Sequence, residues 1–193
     1  MENEIMTFRK NALLANLCKE WDTMWRACNN DKEKLVRLAL MQQSTPYLIT
    51  FCNDGRGLSK DYIVNVFGDE INGKQHLNCD DTQGDYLYGL HITDENVNLV
   101  DDVATFMWCD NIQVYVNETK CPVLYIGCNT TIHLSCKGYN SCRIYLFDTS
   151  KLYVDYLDSQ SDLLIYKYSH DCNVTRDELC FGKVTEHLKR LRL

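Results

Sequence analysis

A short apolar strand pattern recurs every ten residues between Ile112 and Val174. Two series of positions share this step. The first series is Ile112, Pro122, Ile132, Cys142 and Leu152, and the second is Val114, Leu124, Leu134, Ile144 and Val154. A fixed step of this kind is typical of a solenoid, in which each coil stacks on the previous one. The pattern therefore predicts a β-helix.

Side chains alternate within each repeat with the period of two that a half-buried strand requires. Residues that tolerate left-handed backbone follow the strands and are expected at the corners: Asn117, Asn129, Asn140, Asp148 and Asp158. Two repeats, roughly twenty residues, would form one coil. We expect about five coils over 86–181, right-handed by analogy. The alternative is an antiparallel sandwich, but its hairpins usually carry glycine, and only Gly127, Gly138 and Gly182 occur after Leu90.

The first part of the chain, 1–85, is predicted to be a helical head followed by a polar connector. An amphipathic apolar face runs from Leu13 to Cys28 and predicts a helix that ends at Asn29–Asp31. A second helix is expected over 32–42, and Ser59 is a suitable N-cap for a third. The boundary with the solenoid is placed near Asp85.

The last part, 182–193, is predicted to be a capping helix with Val184, Leu188 and Leu191 on one face. Caps of this kind cover the open ends of repeat proteins. The predicted fold class is therefore α+β: an N-terminal helical subdomain, a short single-stranded β-helix and a C-terminal capping helix.

Composition narrows the classes of partner. The chain has 193 residues and a net charge of −7, and the segment 86–181 holds 13 acidic and 6 basic residues. We therefore expect no direct binding of nucleic acid along the rod. There is no apolar run long enough for a membrane span and no secretory signal pattern. We expect a cytoplasmic or virion location.

The 11 cysteines lack paired spacing, which favours core packing in a reducing compartment over disulfides or a metal site. None of the five histidines has an acid or nucleophile at motif spacing, and no phosphate-binding or nucleophile motif occurs. Adjacent carboxylates such as Asp101–Asp102 point to opposite faces of a strand, which does not suit glycosidase chemistry. We predict no enzyme activity, no cofactor and no metal.

Four tyrosines at matching outward positions of the repeat form the candidate binding surface: Tyr115, Tyr125, Tyr145 and Tyr153. With two repeats to a coil, Tyr115 shares a side with Tyr153, and Tyr125 shares the other side with Tyr145, each pair two coils apart. Such a ladder is either ordinary strand composition or an exposed aromatic face for protein or carbohydrate contact.

The segment Leu58–Phe67 and repeats such as Asn140–Asp148 carry a resemblance to a known group. The chain resembles small proteins of gut Bacteroidota and their phages or mobile elements, which join a helical head to β-helix repeats. The resemblance implies a β-helix and a phage or mobile-element setting, and it implies no activity.

Three functional hypotheses follow. The first is a non-enzymatic structural or protein-interaction module, such as a virion or phage accessory component, that binds a protein partner or associates with itself. The second is an acidic DNA mimic that inhibits a nucleic-acid enzyme, which predicts acids in rows. The third is a carbohydrate-binding or carbohydrate-active β-helix.

Overall fold

The structure is a computed structural model that describes residues 4–41, 44–67, 74–78, 85–99, 103–117 and 121–190. The chain forms two compact units, one within 1–71 and one within 72–190. The first unit holds the helices α1 (Glu4–Leu14), α2 (Lys19–Ala27), α3 (Lys32–Ala39), α4 (Thr45–Asn53) and α5 (Lys60–Phe67). The expected helical N-terminal part is therefore confirmed.

Aromatic packing forms the centre of the helical unit. The ring of Phe8 on α1 lies 5.9 Å from Trp21 and 5.8 Å from Trp25, both on α2. The predicted single helix from Leu13 to Cys28 is wrong, because Asn16 adopts a left-handed φ of 65° between α1 and α2. The apolar period continues across this break, so periodicity alone does not reveal it.

Local capping explains where three of the helices begin. The Cys18 thiol accepts from the Trp21 N–H at the start of α2. Asp31 accepts from the Lys34 N–H at the start of α3, and the Ser59 hydroxyl accepts from the Tyr62 N–H at 3.1 Å. The Ser59 cap agrees with the prediction from the sequence. Each cap satisfies a backbone donor that the helix itself leaves unpaired.

The second unit is a β-solenoid. Its strands are β1 (Lys74–Asn78), β2 (Asp85–Leu90), β3 (Asn96–Leu99), β4 (Val103–Met107), β5 (Ile112–Asn117), β6 (Val123–Gly127), β7 (Thr131–Lys137), β8 (Ser141–Leu146), β9 (Lys151–Leu157), β10 (Asp162–Lys167), β11 (Asn173–Arg176) and β12 (Lys183–Leu188). They form a seven-stranded sheet, β1-β2-β4-β6-β8-β10-β12, and a five-stranded sheet, β3-β5-β7-β9-β11. Pairing is parallel except between β1 and β2.

This topology confirms the β-helix of about five coils and excludes the antiparallel sandwich. Strand β1 lies in the segment expected to be a polar connector. Val114, Leu134 and Val154 are direct register partners on three consecutive strands of the five-stranded sheet. All three are buried, as are the other residues of both ten-residue series. The interior is therefore a set of apolar columns that run along the rod, as the repeat predicts.

The corners after the strands of the seven-stranded sheet repeat the same strained backbone. Trp108, Cys128 and Asp148 have φ values of 57°, 55° and 55°. Asn129 also adopts left-handed backbone, so two of the predicted corner residues, Asn129 and Asp148, are in the expected conformation. The Cys128 N–H donates to Asp148 Oδ2 at 2.9 Å, which ties one corner to the next.

The C-terminal capping helix is a wrong prediction over 183–188, where the chain forms β12. Val184 lies beside Leu163 of β10, so its apolar side chain extends an interior column.

Glu186 is the register partner of buried Ile165 and therefore occupies an interior-facing position at the end of the rod. It pairs with Arg176 and, at 3.7 Å, with Lys167. An inward-facing charge on an edge strand disfavours edge-to-edge association.

Among the helices that the structure describes, none is long and apolar enough to cross a membrane.

Candidate functional site

The four predicted tyrosines divide between the outer faces of the two sheets. Tyr125 and Tyr145 lie on the seven-stranded sheet, and Tyr115 and Tyr153 lie on the five-stranded sheet. The expected grouping is correct, but Tyr125 and Tyr145 are one coil apart, not two, because they are direct register partners. Tyr125 is only 4% exposed, so it is not part of an exposed ladder. No single four-tyrosine surface exists.

The seven-stranded sheet carries a continuous column of stacked rings formed by Tyr125, Tyr145, Tyr166 and His187. Successive ring centroids are 4.8, 5.1 and 5.6 Å apart, with interplanar angles of 9°, 19° and 23°. The spacing follows from the parallel register, which sets equivalent side chains about 4.8 Å apart. We call this set the aromatic column.

A second, shorter stack lies beside the aromatic column. The rings of Phe147 and Tyr168 are 4.7 Å apart and nearly parallel at 6°. Phe147 is buried and Tyr168 is half-buried. The Lys189 ammonium lies 4.6 Å from the centroid of Tyr166, where the electron-rich ring face attracts a cation. Solvent access to the aromatic column increases from buried Tyr125 to exposed His187.

Basic side chains lie on the same outer face as the aromatic column. Arg143 on β8, Lys183 on β12 and Lys189 directly after β12 are exposed, and the acidic residue Asp162 on β10 is the register partner of Lys183. We call the surface formed by these four residues and the aromatic column the basic aromatic face. Its local excess of positive charge contrasts with the net charge of −7 for the whole chain.

Stacking determines which part of each ring remains accessible. A ring between two parallel neighbours about 5 Å away has both faces covered, so its edge and hydroxyl remain for solvent or a partner. The basic aromatic face therefore offers a row of phenol hydroxyls and cationic groups, with one open ring face at His187, because β12 is the last strand of the described sheet.

The five-stranded sheet carries a different arrangement, centred on a β-bulge in β9. The register shifts between Leu134 and Ser135, so that Asp155 and Tyr156 both lie opposite one residue of β7. The extra residue places the Asp155 carboxylate against the His133 imidazole, with Nδ1 3.1 Å from Oδ2. His133 also stacks on Tyr153 at 4.7 Å and 12°. Bulges commonly re-aim side chains at functional surfaces.

Sequence reasoning missed Tyr166, His187 and Asp155. Each coil between β8 and β12 is one residue longer than two ten-residue repeats. Tyr145, Tyr166 and His187 therefore recur at a step of twenty-one. A search with a variable step would have found them. The Asp155–His133 pair has no such signal, because it depends on the bulge.

The cysteines do not assemble a metal centre in the part of the chain that the structure describes, where no group of three His, Cys, Asp or Glu side chains is suitably placed. The core packing predicted for the cysteines is found at Cys109, Cys128, Cys136 and Cys142, which are buried, whereas Cys121 is exposed. Cys136 and Cys142 are free thiols with sulfurs 3.7 Å apart. Their hydrogen bond and burial raise the pKa of Cys136, so this thiol is kept protonated and poorly reactive.

No family model matches the chain, and neither the curated proteins nor the solved structures include a match.

Proposed function

We propose that the chain is a non-enzymatic protein-interaction module whose basic aromatic face binds an acidic segment of a partner protein. The observation that carries the proposal is that Arg143, Lys183 and Lys189 share one outer face with the stacked tyrosines in an otherwise acidic molecule, with the Lys189 ammonium 4.6 Å from the Tyr166 ring centroid. Tyrosine and arginine are enriched at the energetic centres of protein interfaces. Complementary charge would supply orientation and a fast association rate.

Ring stacking favours a peptide over a nucleic acid as the occupant. Non-specific single-strand binding uses open aromatic faces on which bases stack, and the faces of Tyr145 and Tyr166 are covered by their neighbours. The acidic remainder of the chain also repels a phosphate backbone. Phenol hydroxyls and cations instead suit the carboxylates and carbonyls of a peptide.

The DNA-mimic alternative receives less support, because acidic residues at the corners accept hydrogen bonds from backbone N–H groups. The Asp148 carboxylate accepts from the Cys128 N–H, and that of Asp158 accepts from the Gln160 N–H. The latter bond lowers the pKa of Asp158. A structural or accessory protein of a phage, in the cytoplasm or the virion, is the biological setting that accompanies our proposal, and it rests on the sequence resemblance.

Fluorescence anisotropy with defined probes tests the proposal. The labelled probes are a peptide of alternating glutamate and serine, a lysine–serine peptide of equal length, and oligothymidylate of equal charge. We expect the glutamate peptide to bind at low salt and to weaken as salt increases. The double variant Arg143→Glu, Lys189→Glu should weaken binding at least tenfold, because it reverses two charges on the face.

Lys137→Glu, Lys151→Glu is the matched control, since both residues are exposed lysines on the five-stranded sheet. It changes the net charge by the same amount without touching the basic aromatic face, so it should leave the affinity within about twofold. Equal weakening by this control would show that binding follows net charge alone and would overturn the proposal. Preferential binding of oligothymidylate would overturn it in favour of a nucleic-acid ligand.

A further inference from the structure

One column on the five-stranded sheet is interrupted at a small residue. Ser135 of β7 is the register partner of Tyr115 on β5 and of Tyr156 on β9. Tyr115, Ser135 and Tyr156 are all half-buried and face outward. Tyr156 reaches this position because of the bulge, which turns it outward and returns Leu157 to the interior. The bulge therefore creates a tyrosine–serine–tyrosine column.

Side chains of a strand stand roughly perpendicular to the sheet, so the register of Tyr115, Ser135 and Tyr156 leaves a gap above Ser135 with about the depth of one planar ring. Neighbouring strands lie about 4.8 Å apart, so Tyr115 and Tyr156 originate from positions about 9.6 Å apart along the rod. A ring placed midway would lie about 4.8 Å from each. This is the separation at which rings already stack in this protein, where centroid distances of 4.7 and 4.8 Å occur.

Polar groups that bind hydroxyls border the gap. Along β7, His133 and Lys137 are the outward residues on either side of Ser135. Because His133 Nδ1 faces Asp155, its Nε2 is the nitrogen left for a ligand. The Asp155 carboxylate is partly exposed and has further lone pairs beyond those directed at His133. The Ser135 hydroxyl forms the floor.

We propose that this gap binds one pyranose ring of a carbohydrate, stacked between Tyr115 and Tyr156. The C–H groups of the sugar contact the electron-rich ring faces, and Asp155, His133 and Ser135 bind its hydroxyls. A purely aromatic guest would leave these polar groups without partners, which costs free energy. A phosphate-bearing guest would meet the Asp155 carboxylate. The gap lies on the sheet opposite the basic aromatic face and is independent of that face.

The test uses the full-length protein and methyl glycosides of glucose, galactose, mannose, xylose, N-acetylglucosamine and glucuronic acid. Protein NMR follows the ring resonances of Tyr115, Tyr156 and His133 during each titration. We expect at least one glycoside to shift all three sets of resonances. Asp155→Asn should weaken that binding about tenfold, because it replaces a charged acceptor by a neutral one.

Ser135→Tyr is the decisive variant, since it fills the gap with a ring that continues the column, and it should abolish binding. Ser141→Tyr is its matched control, because Ser141 is an exposed serine at an outward position of β8. Tyr115→Ala removes one wall and should also abolish binding, which keeps the test valid if Ser135→Tyr does not fold.

Two outcomes would overturn the proposal. The first is that no glycoside shifts these resonances at concentrations on the order of 50 mM, above the millimolar range of weak ligands. The second is that Ser135→Tyr binds as well as the unmodified chain. In the first case, binding of N-acetyltryptophanamide would show that the gap accepts an aromatic side chain and not a sugar.

Discussion

Substitution of Leu134 by alanine tests the column on which the fold depends. Leu134 is 0% exposed and lies between Val114 and Val154 in the five-stranded sheet. The change removes three carbon atoms, worth about 0.8 kcal/mol each in transfer free energy. The parallel backbone on both sides is fixed by its hydrogen bonds, so the neighbours cannot fill the space. With the cavity contribution, the expected loss of unfolding free energy is about 3–5 kcal/mol.

Urea unfolding followed by far-UV circular dichroism measures this loss. With a slope of about 2 kcal/mol per molar urea, the midpoint should fall by roughly 1.5–2.5 M. Val184→Ala on the last strand β12 is the matched control, because Val184 occupies an equivalent column but is only half-buried. It should cost about 1 kcal/mol. A loss below about 1 kcal/mol for Leu134→Ala, or equal losses at both positions, would refute the reasoning.

Three further variants examine the corners, the end of the rod and the helical unit. Asp148→Val should lower the unfolding free energy by at least about 2 kcal/mol, because a β-branched residue is strained at a φ of 55° and the hydrogen bond from the Cys128 N–H is lost. Asp148→Asn should cost under about 1 kcal/mol in the same urea titration. Glu186→Leu removes the inward charge from the edge strand and should produce concentration-dependent association in sedimentation velocity, whereas a strictly monomeric variant would contradict this role. The hydrogen bond from Arg9 lowers the pKa of Asp22, so the pair stabilises the fold above the unfolded pKa of Asp22, and this contribution disappears as pH falls through the lower folded value. Asp22→Asn should cost about 1–2 kcal/mol at neutral pH and progressively less as the pH is lowered through the folded pKa of Asp22. A cost independent of pH would contradict the assignment.

The interior of the rod was predictable because the apolar sequence pattern that specifies it is local and repeated. A buried position every second residue and an equivalent position every ten residues select Val114, Leu134 and Val154 without knowledge of the structure. The last strand was not predictable from spacing. Val184 and Leu188 are four residues apart, which suits a helix face and a strand face equally well, and docking of Val184 beside Leu163 decides between them.

The candidate sites were only partly predictable for two physical reasons. The first is that repeat length drifts. One extra residue per coil moves Tyr166 and His187 off the ten-residue grid, while Tyr166 still stacks on Tyr145 and His187 stacks on Tyr166. The second is the bulge. Strict alternation points Tyr156 inward, whereas the apolar Leu157 takes the interior position and leaves Tyr156 outside. In the sequence the bulge appears only as a phase break, because the inward apolar residues Val154 and Leu157 are three residues apart instead of two.

The two proposed surfaces differ in which part of an aromatic ring a ligand can reach. Where the column is continuous, neighbouring rings cover both faces of Tyr145 and Tyr166 and only their edges and hydroxyls remain, which suits a peptide. Where Ser135 interrupts a column, the proposed gap lies between its register partners Tyr115 and Tyr156, which suits a stacked sugar. The two activities should therefore separate by substitution. Ser135→Tyr should abolish glycoside binding and leave peptide binding unchanged, whereas charge reversal on the basic aromatic face should do the opposite. Loss of both activities in either variant would mean that one surface serves both ligands and that ring accessibility does not distinguish them.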